Sequence, residues 1–177
     1  MRFRNFFTLC AVLAAGCEQG EPDRREPVPS HNLVAGFCDR LLEFARVDLG
    51  AQNVSVARPD QGRLIGRLAS CELRGVHPSG VQARALTVDL GTVGAETVTL
   101  SPSEWGVPVA GVSPTVLVRR SAGASTMKAA IDGWGATMTL DTDGLRTATG
   151  GVDLEPPSEP RYAEFLLTLI REYGQWD

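Results

Sequence analysis

The chain has 177 residues, 43% of them hydrophobic and 21% charged, which fits one globular domain and excludes a disordered tail or a membrane bundle. It carries 17 basic and 21 acidic residues, and the basic ones form no cluster of five. Nucleic acid is therefore not an expected partner.

The first element along the chain is a short apolar run with a basic flank. Arg2 and Arg4 precede roughly ten apolar residues from Phe6 to Ala15, about half of what a membrane-spanning helix needs. The chain turns polar again at Glu18. This pattern predicts a signal peptide and not a transmembrane anchor.

The end of this run, Leu13-Ala14-Ala15-Gly16-Cys17, resembles the lipobox of bacterial lipoproteins. The resemblance implies that residues 1–16 are cleaved off and that Cys17 carries lipid such as palmitate. It implies an exported protein, anchored by this lipid on the outer side of the cytoplasmic membrane or in the outer membrane. Two or three acyl chains give stable attachment. Ordinary secretion with cleavage elsewhere is the alternative.

The segment after the lipidated cysteine, residues 17–31, contains three prolines and many charges. We expect a flexible, solvated tether here. The remaining residues, 32–177, form the single predicted domain.

Residues 32–50 predict a helix, because Leu33, Phe37, Leu41 and Phe44 recur at helical spacing. Asn32 is a suitable residue for its start, and Gly50 follows its end.

The cysteines divide into three groups by expected fate. Cys10 leaves with the signal peptide, and Cys17 is lipidated. Cys38 and Cys71 remain in an oxidising compartment, so a disulfide between them is expected. A redox or metal role is the weaker alternative, because neither has a Cys-x-x-Cys neighbour and the two histidines form no ligand-spaced set.

From Asn53 onward the apolar residues alternate, and turn residues separate the alternating segments. Six to eight strands follow one another without helices, which predicts an antiparallel meander. Asp143-Gly144 predicts a hairpin turn between two of these strands.

The chain ends with a second amphipathic helix. Its start is predicted at Ser158 and its end at Gly174. Its apolar face consists of Tyr162, Phe165, Leu166, Leu169, Ile170 and Tyr173. We expect this face to cover the sheet, which completes an α+β fold. In the alternative, Tyr162, Phe165, Leu169 and Tyr173 form an exposed surface for a partner protein.

Catalytic motifs are not found in the sequence. The chain has no Gly-x-Ser-x-Gly elbow, no phosphate-binding loop and no His-Glu-x-x-His. Glu72, Asp89, Glu96 and Asp132 could meet in space, but their spacing supports no particular hydrolytic mechanism. We therefore predict no catalytic residue, no metal and no cofactor, and a hydrolase remains only an alternative.

One stretch of the domain resembles bacterial envelope proteins with the TULIP-type, tubular lipid-binding fold. The matching residues are Val54, Val56, Gly62-Arg63-Leu64, Gly80-Val81, Leu86, Val88 and Leu90. The resemblance implies a curved sheet wrapped on a helix, with an apolar groove for acyl chains. The groove candidates are Leu86, Val88, Leu90 and Leu117, with Trp105 and Trp134 as candidates for its mouth.

The layout of Cys38, Cys71 and the final helix is similar to that of small actinobacterial lipoproteins of unknown function. The leading hypothesis is a non-enzymatic envelope lipoprotein that binds an apolar, lipid-like ligand. The alternative is an accessory lipoprotein that binds a protein partner of the cell envelope.

Overall fold

A computed structural model of the chain describes residues 33–57, 65–93 and 105–174. The expected signal peptide, Cys17, the tether, Asn32, Gly62-Arg63-Leu64 and Glu96 lie outside these ranges. Within them, two helices cover one face of an antiparallel sheet, which confirms the predicted α+β fold. None of the helices in the described ranges is long and apolar enough to cross a membrane.

The two helices begin and end close to the predicted positions. Helix α1 spans Val34–Glu43 and continues as a π-helical turn over Phe44–Asp48. Helix α2 spans Glu159–Tyr173, after a 3-10 turn at Pro156–Ser158. Gly50 follows the first helical segment with a φ of 66°, a left-handed conformation that glycine adopts at little cost.

Seven strands form the main sheet. They are β1 (Ser55–Val56), β2 (Leu68–Val76), β3 (Gln82–Thr92), β4 (Val107–Pro108), β5 (Val116–Ser121), β6 (Ala124–Ile131) and β7 (Trp134–Asp141). Two further strands, β8 (Arg146–Thr147) and β9 (Gly150–Gly151), form a separate small ribbon.

The strand order departs from a simple meander at one point. Its order is β1-β2-β3-β7-β6-β5-β4, so β3 pairs with β7, while β4 lies at the far edge. All pairs are antiparallel, as predicted. The hairpin predicted at Asp143-Gly144 is wrong: a turn is present, but β7 and β8 on its two sides do not pair.

The core lies between the helices and one face of the sheet. In β7, Trp134, Ala136, Met138 and Leu140 alternate toward the helices, and each is less than a tenth exposed. The helices lie antiparallel on this face: Phe44 stacks on Phe165 with ring centroids 3.6 Å apart, and Phe37 meets Tyr173 edge to face.

The Cys38–Cys71 disulfide is confirmed. It joins α1 to β2 with a Cα–Cα distance of 5.6 Å, and both residues are buried. The bond closes a loop with a sequence separation of 33 and fixes α1 against the sheet.

Candidate functional site

The predicted ligand groove is not formed by the residues proposed for it. Leu86, Val88 and Leu90 are fully buried, because they face the helices and pack into the core. Trp134 is also core, beside Gly174 at the end of α2. The three depressions of the surface described below are lined by other side chains.

The remaining two groove candidates lie on the opposite face of the sheet. Leu117 is fully buried there, and its strand neighbours Val116 and Val118 point to the helices. Trp105, just before β4, is partly exposed. These two residues therefore belong to a different surface from the other four candidates.

The predicted partner surface on α2 is not exposed. Tyr162, Phe165, Leu169 and Tyr173 are at most 7% exposed, because α1 and the sheet cover them. Burial raises the pKa of both tyrosines. The interpretation that this stripe covers the sheet is confirmed, and the alternative of an exposed stripe is wrong.

The sheet face that points away from the helices, here called the open face, carries the polar residues of the strands. Strand register places Ser70, Asp89, Thr137, Lys128 and Leu117 in one row across β2, β3, β7, β6 and β5.

A parallel row lies next to it. This row contains Glu72, Thr87, Thr139, Thr126 and Arg119, in the same strand order. The two rows together place acidic residues on β2 and β3, threonines along the middle, and basic residues on β5 and β6.

The basic side of the open face is organised around Trp105. The charged group of Arg119 lies 5.3 Å from the centroid of this ring, and that of Lys128 lies 5.7 Å from it. Both distances are typical of cation–π contacts. Arg119 also donates a hydrogen bond from Nε to the Trp105 carbonyl at 2.8 Å, which fixes the position of the tryptophan.

The acidic side consists of carboxylates that have local partners. Asp89 accepts a hydrogen bond from the Ser70 hydroxyl at 2.6 Å, and Glu72 pairs with Arg74 at 2.7 Å. Asp132 lies at a distance from both, in the turn between β6 and β7. Among the described residues, no group of three or more His, Cys, Asp or Glu is placed to hold a metal ion.

A shallow depression of about 150 Å³ borders the first row of the open face. Its floor includes Gly91, Gly135 and Ala130, which share one register position across β3, β7 and β6. Asp89 and Lys128 stand at its rim. Because two interstrand spacings separate β3 from β6, these opposite charges lie about 10 Å apart at the backbone.

Two larger depressions lie at the other end of the domain, on either side of the segment 152–155. Their volumes are about 470 and 360 Å³, and Val152 and Asp153 line both. Ser158 directly precedes α2, as predicted, but its hydroxyl donates to Asp153 at 2.6 Å and makes no capping bond to the helix. That hydrogen bond and one from the Glu155 amide lower the pKa of Asp153.

An ion pair between Arg120 and Glu159 lies at this end of the domain. The sequence analysis did not identify it. Glu159 is only 3% exposed and accepts two hydrogen bonds from Arg120, at 2.5 and 2.6 Å. These bonds raise the pKa of Arg120. The two residues are 39 positions apart in the chain, so no local pattern could have paired them.

Comparison of the chain with protein-family models, with curated proteins and with solved structures finds no match.

Proposed function

We propose that this protein is an exported lipoprotein, anchored to a membrane through acylated Cys17, whose domain acts by binding a protein partner through its open face. The disulfide between Cys38 and Cys71 supports export, because disulfides persist in oxidising compartments and are rare in the cytosol. It agrees with the lipobox-like sequence, which independently indicates export.

The open face is the best-supported contact surface, because it combines a fixed aromatic ring with charges of both signs. Trp105 is held by Arg119 and Lys128, and aromatic residues are enriched at protein interfaces. The acidic residues Asp89 and Glu72 lie across the threonine-rich centre from these cations. A complementary protein surface would match this separation of charge.

The apolar-ligand hypothesis has less support, because three of its groove candidates are packed against the helices in the core. A hydrolytic role has little support from Glu72 and Asp89, since the first pairs with Arg74 and the second with Ser70.

Acylation is tested by labelling the full chain with a palmitate analogue and separating membrane and soluble fractions. We expect the wild-type chain and the control Cys10→Ala to be labelled and membrane-bound, because Cys10 lies in the cleaved segment. Cys17→Ala should be unlabelled. Labelling of Cys17→Ala, or a wild-type chain without lipid, would contradict the anchor.

The contact surface is tested by placing a photoreactive residue at position 137, in the centre of the open face, in the anchored chain. A matched control carries it at position 164, which is exposed on α2. We expect a discrete protein cross-link from 137 only, and a lower yield when Lys128→Glu is added. Equal yields from 137 and 164 would show that the open face is not the contact surface.

A further inference from the structure

In two rows of the open face the charges are arranged so that these rows are complementary to themselves, and the pair Arg74 and Arg84 on β2 and β3 lies beyond them. Strand β7 is the middle of the five strands β2, β3, β7, β6 and β5. Asp89 lies one strand to one side of β7, and Lys128 lies one strand to the other side, in the same row. In the next row, Glu72 and Arg119 lie two strands away on opposite sides.

A two-fold axis parallel to β7, placed between two open faces, exchanges the two sides of the sheet. It lays β3 of one chain over β6 of the other, and β2 over β5. Asp89 then faces Lys128 of the second copy, Glu72 faces Arg119 of the second copy, and Thr139 faces its own counterpart. Face-to-face sheets pack about 10 Å apart with nearly aligned strands, which such an axis produces.

We propose that the partner of the open face is a second copy of this chain, related by this two-fold axis. An isologous interface requires a surface that complements itself, and in these two rows the antisymmetric placement of charge about β7 meets this requirement. Trp105, next to the cations on one side, would contact the acidic β2–β3 side of the second copy. Large aromatic side chains of this kind anchor many interfaces.

The proposal rests on the proposed function, since membrane anchoring restricts how two copies can meet. Helix α1 starts at the end of the sheet where β7 begins: Tyr173 donates a hydrogen bond to the Gly36 carbonyl at 3.2 Å, and Trp134 lies beside Gly174. An axis parallel to β7 keeps the starts of both α1 helices at the same end. Two tethers can therefore enter one membrane, where confinement raises the effective concentration of the partner.

The test uses the lipidated full chain in lipid vesicles, with Thr139→Cys as a reactive thiol on the axis. No native cysteine of the mature chain should react with the maleimide. Cys17 is acylated in this proposal, and Cys38 and Cys71 are bonded to each other. A short bis-maleimide should link two copies of Thr139→Cys, as judged by mass spectrometry. The matched control Glu164→Cys, on the helix side, should give no such product.

Charge reversal then identifies the pairing. Asp89→Lys and Lys128→Asp, each added to Thr139→Cys, should each lower the cross-linked fraction about tenfold, because two attractive pairs become repulsive. The double reversal should restore it, since every pair again joins opposite charges. An unchanged circular dichroism spectrum and urea midpoint in each variant show that the domain is folded.

The possible outcomes separate this proposal from the proposed function. No Thr139 product, or a double reversal as weak as the single ones, overturns the self-association. A discrete cross-link from position 137 to a different protein also overturns it, while the proposed function stands. An unlabelled, unanchored wild-type chain overturns the proposed function instead.

Discussion

Removing the disulfide should lower the free energy of unfolding of the whole domain, and the structure gives the size of this loss. The bond joins residues 33 positions apart, and for a loop of this size the chain-entropy relation gives about 3.8 kcal/mol at 25 °C. The double variant Cys38→Ala/Cys71→Ala removes the bond without leaving an unpaired thiol. Each alanine also creates a small void, so the total loss should be about 4–5 kcal/mol.

The assay is urea unfolding of a chain that begins after Cys17. Unfolding is monitored by the circular dichroism signal of the helices. Helix α1 should remain docked in the variant, because Phe37, Leu41 and Phe44 stay buried against the sheet and α2. We therefore expect one cooperative transition at lower urea, with amides of α1 and the sheet losing protection from hydrogen exchange together.

Two results would refute this reasoning. A loss below about 1 kcal/mol would mean that the unfolded chain is already restricted without the bond. Early hydrogen exchange of the α1 amides alone in the variant would mean that the disulfide holds α1 against the sheet. The packing of the buried aromatic residues would then be insufficient to hold it.

Other perturbations test the core and the turns. The chain has only two tyrosines, Tyr162 and Tyr173, and burial raises the pKa of both from the ordinary value of 10.0. An ultraviolet titration of the folded chain should therefore have its midpoints above that pH, and stability should fall as the pH rises above 10.0, because the tyrosines of the unfolded chain ionise first. A normal titration midpoint for either tyrosine would contradict its burial. Phe165→Ala should cost about 3–5 kcal/mol in urea unfolding, because its ring stacks on Phe44, and a loss near zero would contradict this packing. Gly144→Ala should lower the melting temperature, since its methyl group would lie 2.2 Å from a backbone oxygen of β3; an unchanged melting temperature would show that the turn can move away.

The elements that could be predicted from the sequence are those whose signals are local. Helical spacing identified α1 and α2, and alternation identified the longer strands β2, β3, β5, β6 and β7, because each pattern depends on neighbouring residues of one segment. The disulfide was predictable for a different reason: only two cysteines remain once Cys10 and Cys17 have been assigned.

The order of strands was not predictable in the same way. The pairing of β3 with β7 joins residues about fifty positions apart, such as Val88 and Met138, and alternation does not specify which strand is the neighbour. The error in the groove candidates follows from this. Alternation places Leu86 and Val88 on one face, but it does not say whether that face encloses a ligand or packs on helices.

The open face was missed because its residues are informative only in register. Asp89, Thr137 and Lys128 are ordinary surface residues when each strand is considered alone. They become a row with opposite charges at its two sides only after β3, β7 and β6 have been placed side by side.

Lys128 is the only lysine in the chain, and its position beside Trp105 gives it a practical use. Reagents that modify amines have one side chain to react with, and that side chain lies on the open face. The rate of its modification therefore measures how accessible this face is, without any mutation. A chain whose open face is covered should react more slowly than the same chain in isolation, and the difference can be followed in intact cells.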